Sequence, residues 1–253
     1  MSVAVVTGAG RGLGRAVALR LAADGAEVAA LARSAGDIES VAKEIHDSGA
    51  RALALTVDVT SNDDIARAHE EILAGLGPVD IVVNNAGNLL YKPFVPLPGQ
   101  EDSTPTSDDE WNSVLDVHLG GTMRILRTFG PGLLERGYGR VVNVVSNVVR
   151  RAFPFTTTYD TAKGAVVQLT RSLAREWAPY GVTVNAVAAG HFPTSMTQAQ
   201  FDDEKVLRSL LRRIPAGRTG DPDELAALVA FLCSAESGFI TGETVGVDGG
   251  ETL

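Results

Sequence analysis

The chain has 253 residues, 45% of them hydrophobic and 21% charged, enough to core one large α/β domain over 1–253. Its 22 basic against 31 acidic residues leave a net charge of −9, which argues against nucleic acid and against a polybasic membrane surface, and favours a small-molecule substrate. With one cysteine, Cys233, and no Cys/His cluster at zinc spacing, neither a disulfide framework nor a metal site is expected, which suits a reducing cytoplasm.

The opening "MSVAVVTGAG" lacks a basic stretch followed by a long apolar one, so no export signal is predicted. No later window has the uncharged length that a membrane span needs. The first strand is predicted at 3–7 ("VAVVT") and the first helix over 12–24, with the loop "TGAGRGLG" at 7–14 between them. Gly8, Gly12 and Gly14 let the backbone turn sharply, and the helix start offers free N–H groups to a pyrophosphate. The spacing is G-x-x-x-G-x-G; Leu13 and Arg15 stand where G-x-G-x-x-G would need glycine, and there is no Gly-Lys-Ser/Thr ending. An ordinary tight turn is the alternative, but strand before and helix after favour a phosphate cradle.

The second strand, 27–32 ("EVAALA"), runs into "LARS", where a dinucleotide fold usually presents a carboxylate to the adenosine ribose. Ala32 and Arg33 offer none; Ser34 can donate a hydrogen bond, and Arg11 lies in the glycine loop. Two guanidinium groups favour a 2′-phosphate, hence NADP(H) over NAD(H), the alternative being a solvated Arg33. Further along come a helix at 36–48, a strand at 51–59 ("RALALTVDV"), a helix at 61–75 and a strand at 80–85 ("DIVVNN"). The stretch 88–110, punctuated by Pro93, Pro96, Pro98, Gly99 and Pro105, reads as a long loop that shapes a site.

A helix over 108–130 and a strand at 139–146 ("GRVVNVVS") lead to "TTTYDTAKGA" at 156–165, on a helix predicted over 158–179. Tyr159 and Lys163, four positions apart, share one face of that helix. An isolated pair of this kind would decorate an exposed helix. Here the preceding strand ends in Ser146, whose hydroxyl can hold and polarise a substrate oxygen. A phenol titrates at about 10, so a nearby cation is needed to bring it into use near neutrality, and Lys163 supplies one. The remaining elements are a strand at 182–189 ("VTVNAVAA"), helices at 197–212 and 222–234, and a strand at 244–249 ("TVGVDG"). Asp221 caps the last helix, with Pro222 in its first position and Glu224 in its first turn. Strands as uniformly apolar as "DIVVNN" and "RVVNVV" belong to a parallel sheet covered on both faces. The expectation is a single Rossmann-type, doubly wound α/β domain with a seven-stranded parallel sheet.

In this order "TGAGRGLG", "DV" at 58–59, "NNAG" at 84–87, Ser146, "YDTAK" at 159–163 and "ITGETVGVDGG" at 240–250 give a chain that resembles the short-chain dehydrogenase/reductase family over essentially its whole length. The resemblance implies catalytic Ser146, Tyr159 and Lys163. It implies cofactor contacts from Gly8, Arg11, Gly12, Leu13, Gly14, Arg33, Ser34, Asp58, Val59, Asn85, Ala86, Gly87, Tyr159 and Lys163, while Asn84 holds the central sheet. Where the family carries an asparagine that completes a catalytic tetrad, "WNSVLDVHLGGTM" has His118. The family's "PG" after the sixth strand is "AAGHFPTSM", so Ala189 replaces proline, while Phe192 and Thr194 align with the segment at the nicotinamide carboxamide. His46, His69 and His191 are given no role, and Trp111 and Trp177 are read as packing residues.

The expected function is NADP(H)-dependent interconversion of a ketone and a secondary alcohol, with Tyr159 as acid/base. One alternative is a reductase of 3-oxoacyl thioesters on an acyl carrier; acidic carriers call for basic residues at the entrance, where Arg150 and Arg151 stand, but the overall charge is −9 and Gly137 and Tyr180 bring none. Another is a catalytically silent NADP(H)-binding sensor or scaffold, against which intact Ser146, Tyr159 and Lys163 count. The region 191–215, with Phe192, Met196, Phe201, Val206 and Leu207 beside "RSLLRR", suggests an apolar lid. A homotetramer or homodimer is implied, built on the long helices and the apolar "FLCSAESGFITG".

Overall fold

The computed structural model describes residues 2–99, 103–194 and 203–253. Seven parallel strands run in the order β3-β2-β1-β4-β5-β6-β7. They are β1 (Val3–Thr7), β2 (Glu27–Ala32), β3 (Ala52–Thr56), β4 (Ile81–Asn84), β5 (Gly139–Ser146), β6 (Val182–Ala189) and β7 (Thr244–Val247). Successive side chains of β1 alternate between two hydrophobic layers, as strand geometry demands. Ala4 and Val6 join one core and Val3 and Val5 the other. That is why the strands read as unbroken apolar runs.

Helices α1 (Gly12–Ala23) and α2 (Ala35–Asp47) cover the first face together with α8 (Pro222–Cys233). The opposite face is covered by α3 (Asn62–Gly75), α5 (Gly121–Arg136) and α6 (Thr157–Trp177). Asp221 and Glu224 form the expected reciprocal cap of α8, Asp221 Oδ1 accepting from Asp223 N at 3.0 Å and Glu224 Oε2 from Asp221 N at 2.8 Å. Helix α7 (Glu204–Leu211) starts at its Asp203 cap. The earlier start read at 197, with Met196 and Phe201, lies outside the described residues.

Among the described residues, two elements differ from the sequence reading by three residues or more. The strand read over 51–59 stops at Thr56, because Asp58 folds its carboxylate back onto Thr60 N (2.9 Å) and Thr60 Oγ1 (2.8 Å). The helix read over 108–130 is three pieces: α4 (Asp108–Leu115), a π-helical turn (Asp116–Gly120), and α5 running on to Arg136 through Pro131. Phe129 and Leu133 are both buried, and that burial holds α5 together past the Gly-Pro-Gly that reads as a break. Gly137, at φ +67°, ends it. Among the described residues no helix is long and apolar enough to cross a membrane, and no group of His, Cys, Asp and Glu is set to hold a metal.

Strand order reverses direction between β1 and β4, the neighbours at the centre of the sheet. Loops leaving their C-terminal ends diverge there and open a crevice.

Candidate active site

One wall of the crevice is the glycine loop. A Cβ on Gly14 would sit 2.2 Å from Gly8 O and 2.4 Å from Asn85 Nδ2, so α1 can close onto the strand end only with glycine there. Asn85 Nδ2 donates to Thr7 O (3.1 Å) and Gly8 O (3.2 Å), while Thr7 Oγ1 accepts from Asn85 N (3.0 Å) and Ala86 N (3.1 Å). The "NNAG" segment therefore braces the loop. Helix α1 has no side-chain cap and no acidic residue in its first turn, which leaves its N–H groups and positive dipole end for an anion. This cradle fits the pyrophosphate of a dinucleotide. Leu13 is partly buried and packs its side chain against the core. Thr194 lies against Gly12. Phe192, expected in the segment at the nicotinamide, packs its ring in the core against Gly220.

Arg11, Arg33 and Ser34 are exposed along one edge of this wall. Thr60 and, more weakly, Arg33 hold the Asp58 carboxyl below its usual range, although burial opposes them. Val59 packs on α5 at Gly121. Asn84 Nδ2 donates to Asn143 Oδ1 (2.9 Å) and Asn143 Nδ2 to Thr170 Oγ1 (2.9 Å), a buried ladder that ties β4 and β5 to α6.

The reactive groups gather at the end of β5. Ser146 is its last residue, and Tyr159 and Lys163 project from the first turns of α6. Tyr159 keeps part of its surface exposed, but its hydroxyl is enclosed, and burial pushes the phenol up to about 12 against a lowering hydrogen bond with Ser146. Burial pushes Lys163 down to about 7. Its Nζ donates to Val144 O at 2.8 Å and stands 5.6 Å from the Tyr159 ring centroid. Lys163 is therefore placed beside the phenol it is expected to tune, in a pocket where burial favours the neutral form of both groups.

His118 lies in the π-helical turn, 2% exposed, its ring edge-on to Tyr159 at 5.2 Å. Its Nε2 is 2.7 Å from Asn88 O and 3.3 Å from Asn88 N; the shorter contact puts the proton on Nε2, and Nδ1, with no partner among the described residues, presents a lone pair. Burial, and then the Lys163 charge, push the imidazole down to about 3, so it is neutral at physiological pH. Gly87 makes room for it: a Cβ there would stand 2.4 Å from His118 Cε1.

The long loop runs along the entrance. Lys92 N donates to Phe155 O (2.9 Å), Lys92 pairs with Glu110 (2.5 Å), and Tyr91 packs on Phe155. Trp111 packs on Phe94, Trp177 is buried in the core, His69 packs on Phe129, and His46 bonds to Ala52. The sequence reading missed a cluster behind Ser146. Asn147 Nδ2 donates to Glu251 Oε2 at 2.9 Å, and His191 Nε2 and Arg213 Nε approach the same carboxylate at 3.2 and 3.5 Å. Nothing in the spacing of these residues announces it.

A family model described as enoyl-(acyl carrier protein) reductase matches residues 8–252. The short-chain reductase protein NovJ of Streptomyces niveus is 40% identical over 254 residues, 98% of this chain and 93% of that protein. The 3-oxoacyl-[acyl-carrier-protein] reductase FabG of Escherichia coli (strain K12) is 37% identical, covering 98% of this chain and 96% of its own. Among solved structures, a gluconate 5-dehydrogenase from Burkholderia cenocepacia J2315 in complex with NADP and tartrate superposes with a TM-score of 0.89 at 34% identity, over 99% of this chain and 95% of that one.

Proposed function

The chain belongs to the short-chain dehydrogenase/reductase family, and we propose that it interconverts a ketone and a secondary alcohol by hydride transfer with NADP(H), acting on a free small or medium carbonyl compound. The observation that carries this reading is an enclosed phenol, Tyr159, standing between Ser146 and Lys163 beside a glycine cradle. When bound, the nicotinamide supplies or accepts the hydride. The glycine loop and the start of α1 would hold its pyrophosphate, Arg33 and Arg11 a 2′-phosphate, and Lys163 its ribose.

The rest is done by the chain's own side chains. Ser146 holds the carbonyl oxygen, and Tyr159 donates a proton to it as charge develops. A phenol pushed up to about 12 stays protonated at neutral pH and so holds the proton that a carbonyl oxygen needs. Lys163 and the Nδ1 lone pair of His118 form a route by which that proton is replaced. The test follows NADPH absorbance with a panel of ketones, alongside NADPH-binding fluorescence. Turnover supports the reading, and binding without turnover on a broad panel would replace it with a sensor.

A second reading is favoured by the full-length likeness to FabG: a 3-oxoacyl thioester on a carrier protein. Against it stands the net charge of −9; the two candidate docking arginines are exposed, and each gives one donor to the chain's own backbone, Arg150 Nη2 to Thr244 O (2.7 Å) and Arg151 Nη1 to Glu251 O (3.4 Å). A cytoplasmic location and assembly of one domain, 1–253, into homodimers or homotetramers complete the proposal. The groove between the π-helical turn and α6, lined by Asn112, Leu119, Met123 and Leu169, supports a second copy seated there. Sedimentation equilibrium tests it.

A further inference from the structure

The C-terminal turn carries a carboxylate that this mechanism does not use. Glu251 exposes 3% of its surface overall and none of its side chain. Asp248 fixes the turn, accepting from Gly250 N (3.0 Å), Thr252 N (3.2 Å) and Thr252 Oγ1 (2.5 Å). On Glu251 converge Asn147 from the end of β5, His191 from beyond β6 and Arg213 from beyond α7. A buried carboxylate needs such partners to be tolerated at all.

The chemistry of these groups fixes a direction. A carboxylate can only accept, so Asn147 must turn its NH2 toward Glu251 and its Oδ1 the other way. On that side Ser146 Oγ lies 3.3 Å from Asn147 Oδ1, and a hydroxyl facing an amide oxygen donates to it. Glu251 thus stands two hydrogen bonds from the proton of the serine.

We propose that Glu251 is a positioning residue: by locking the Asn147 amide it parks the Ser146 hydroxyl proton on Asn147 Oδ1 until a substrate oxygen takes it, so that in the cofactor complex without substrate that proton is held away from Tyr159 and Tyr159 stays a phenol ready to donate. The inference rests on the roles given above to Ser146 and Tyr159. Around the phenol stand Lys163 and Asp160 of α6 and His118 of the π-helical turn; around Glu251 stand Arg213, His191 and Arg151. All six stay in place in the variants that test it.

Glu251→Gln keeps the shape but can offer either an N–H or a C=O to Asn147. The Asn147 amide is then free to turn and donate to Ser146 Oγ, releasing the hydroxyl proton toward a phenolate. Tyrosinate absorbance, titrated in the NADP+ complex with Tyr159→Phe as the blank, should show the Tyr159 midpoint fall by about one pH unit, the worth of one hydrogen bond to a charged group. The Asn147→Asp, Glu251→Gln double variant conserves charge and restores the polarity, since a carboxylate at position 147 only accepts and an amide at position 251 can donate to it. Its midpoint should return to the wild-type value or above. An unchanged midpoint in Glu251→Gln, or a folded double variant that stays low, overturns the proposal. Should Glu251→Gln not fold, the double variant decides alone, and failure of both to bind NADP+ would assign Glu251 to the fold and overturn it equally. The titration needs no turnover, so a wild-type chain inactive on every ketone would sink the functional reading while leaving this test to run.

Discussion

Tyr159 and Lys163 are both displaced by burial, in opposite senses, and the two displacements assign the work. Tyr159→Phe deletes only the transferable proton, so turnover should fall below detection while NADPH still binds by fluorescence; near-normal activity would remove Tyr159 from the reaction. Lys163→Ala should lose both rate and cofactor affinity. Arg33→Ala should weaken NADPH about tenfold or more, the worth of one charge-assisted contact, and leave NADH nearly unchanged; equal losses would show that Arg33 reads something other than the 2′-phosphate. His118 carries a stability signature as well. It titrates at 6.5 when unfolded and at about 3 when folded. Between those values the unfolded chain binds a proton that the folded one refuses, so stability present above 6.5 is lost as pH falls toward 3. His118→Asn should therefore flatten the acid decline of Tm, and keep turnover that His118→Ala loses. The position of His118 was legible from motif order. Glu251 was not, because it meets Asn147 across 104 residues and no spacing rule links the two.

At the scale of elements, the π-helical turn and the "NNAG" segment are built for each other. A π turn widens the helix by one residue and re-aims His118 between Gly87 and Tyr159. Gly87→Ala should thus lower Tm and abolish turnover, and adding His118→Ala should recover most of the Tm, since the clash is with the imidazole; additive losses in the double variant would place the strain elsewhere. The strands, the cap of α8 and the glycine loop could be read from sequence because apolar period, capping chemistry and glycine placement are local. The π turn could not, because "DVHLG" has ordinary helical composition and the widening is imposed by packing. The length of α5 escaped for the same reason: Gly130, Pro131 and Gly132 signal a stop that Phe129 and Leu133 override by burial.

At the scale of the whole molecule, the charge of −9 bears on which substrate arrives. An acidic carrier protein approaching an acidic enzyme meets repulsion unless a local basic patch steers it. Arg150 and Arg151, the two basic residues just after Ser146, each spend one donor on the chain's own backbone, at Thr244 of β7 and at Glu251 of the C-terminal turn, although both stay exposed. A free ketone is indifferent to this field. Screening distances shrink with salt, so repulsion and steering respond to ionic strength with opposite signs. For a carrier-bound 3-oxoacyl thioester, kcat/KM should rise or stay flat as salt is raised, and remain below that of the best free ketone at every ionic strength. For the free ketone it should stay flat. A steep fall with salt for the carrier substrate alone, at a rate above the free ketone's, would reveal a steering patch and move the physiological substrate onto the carrier.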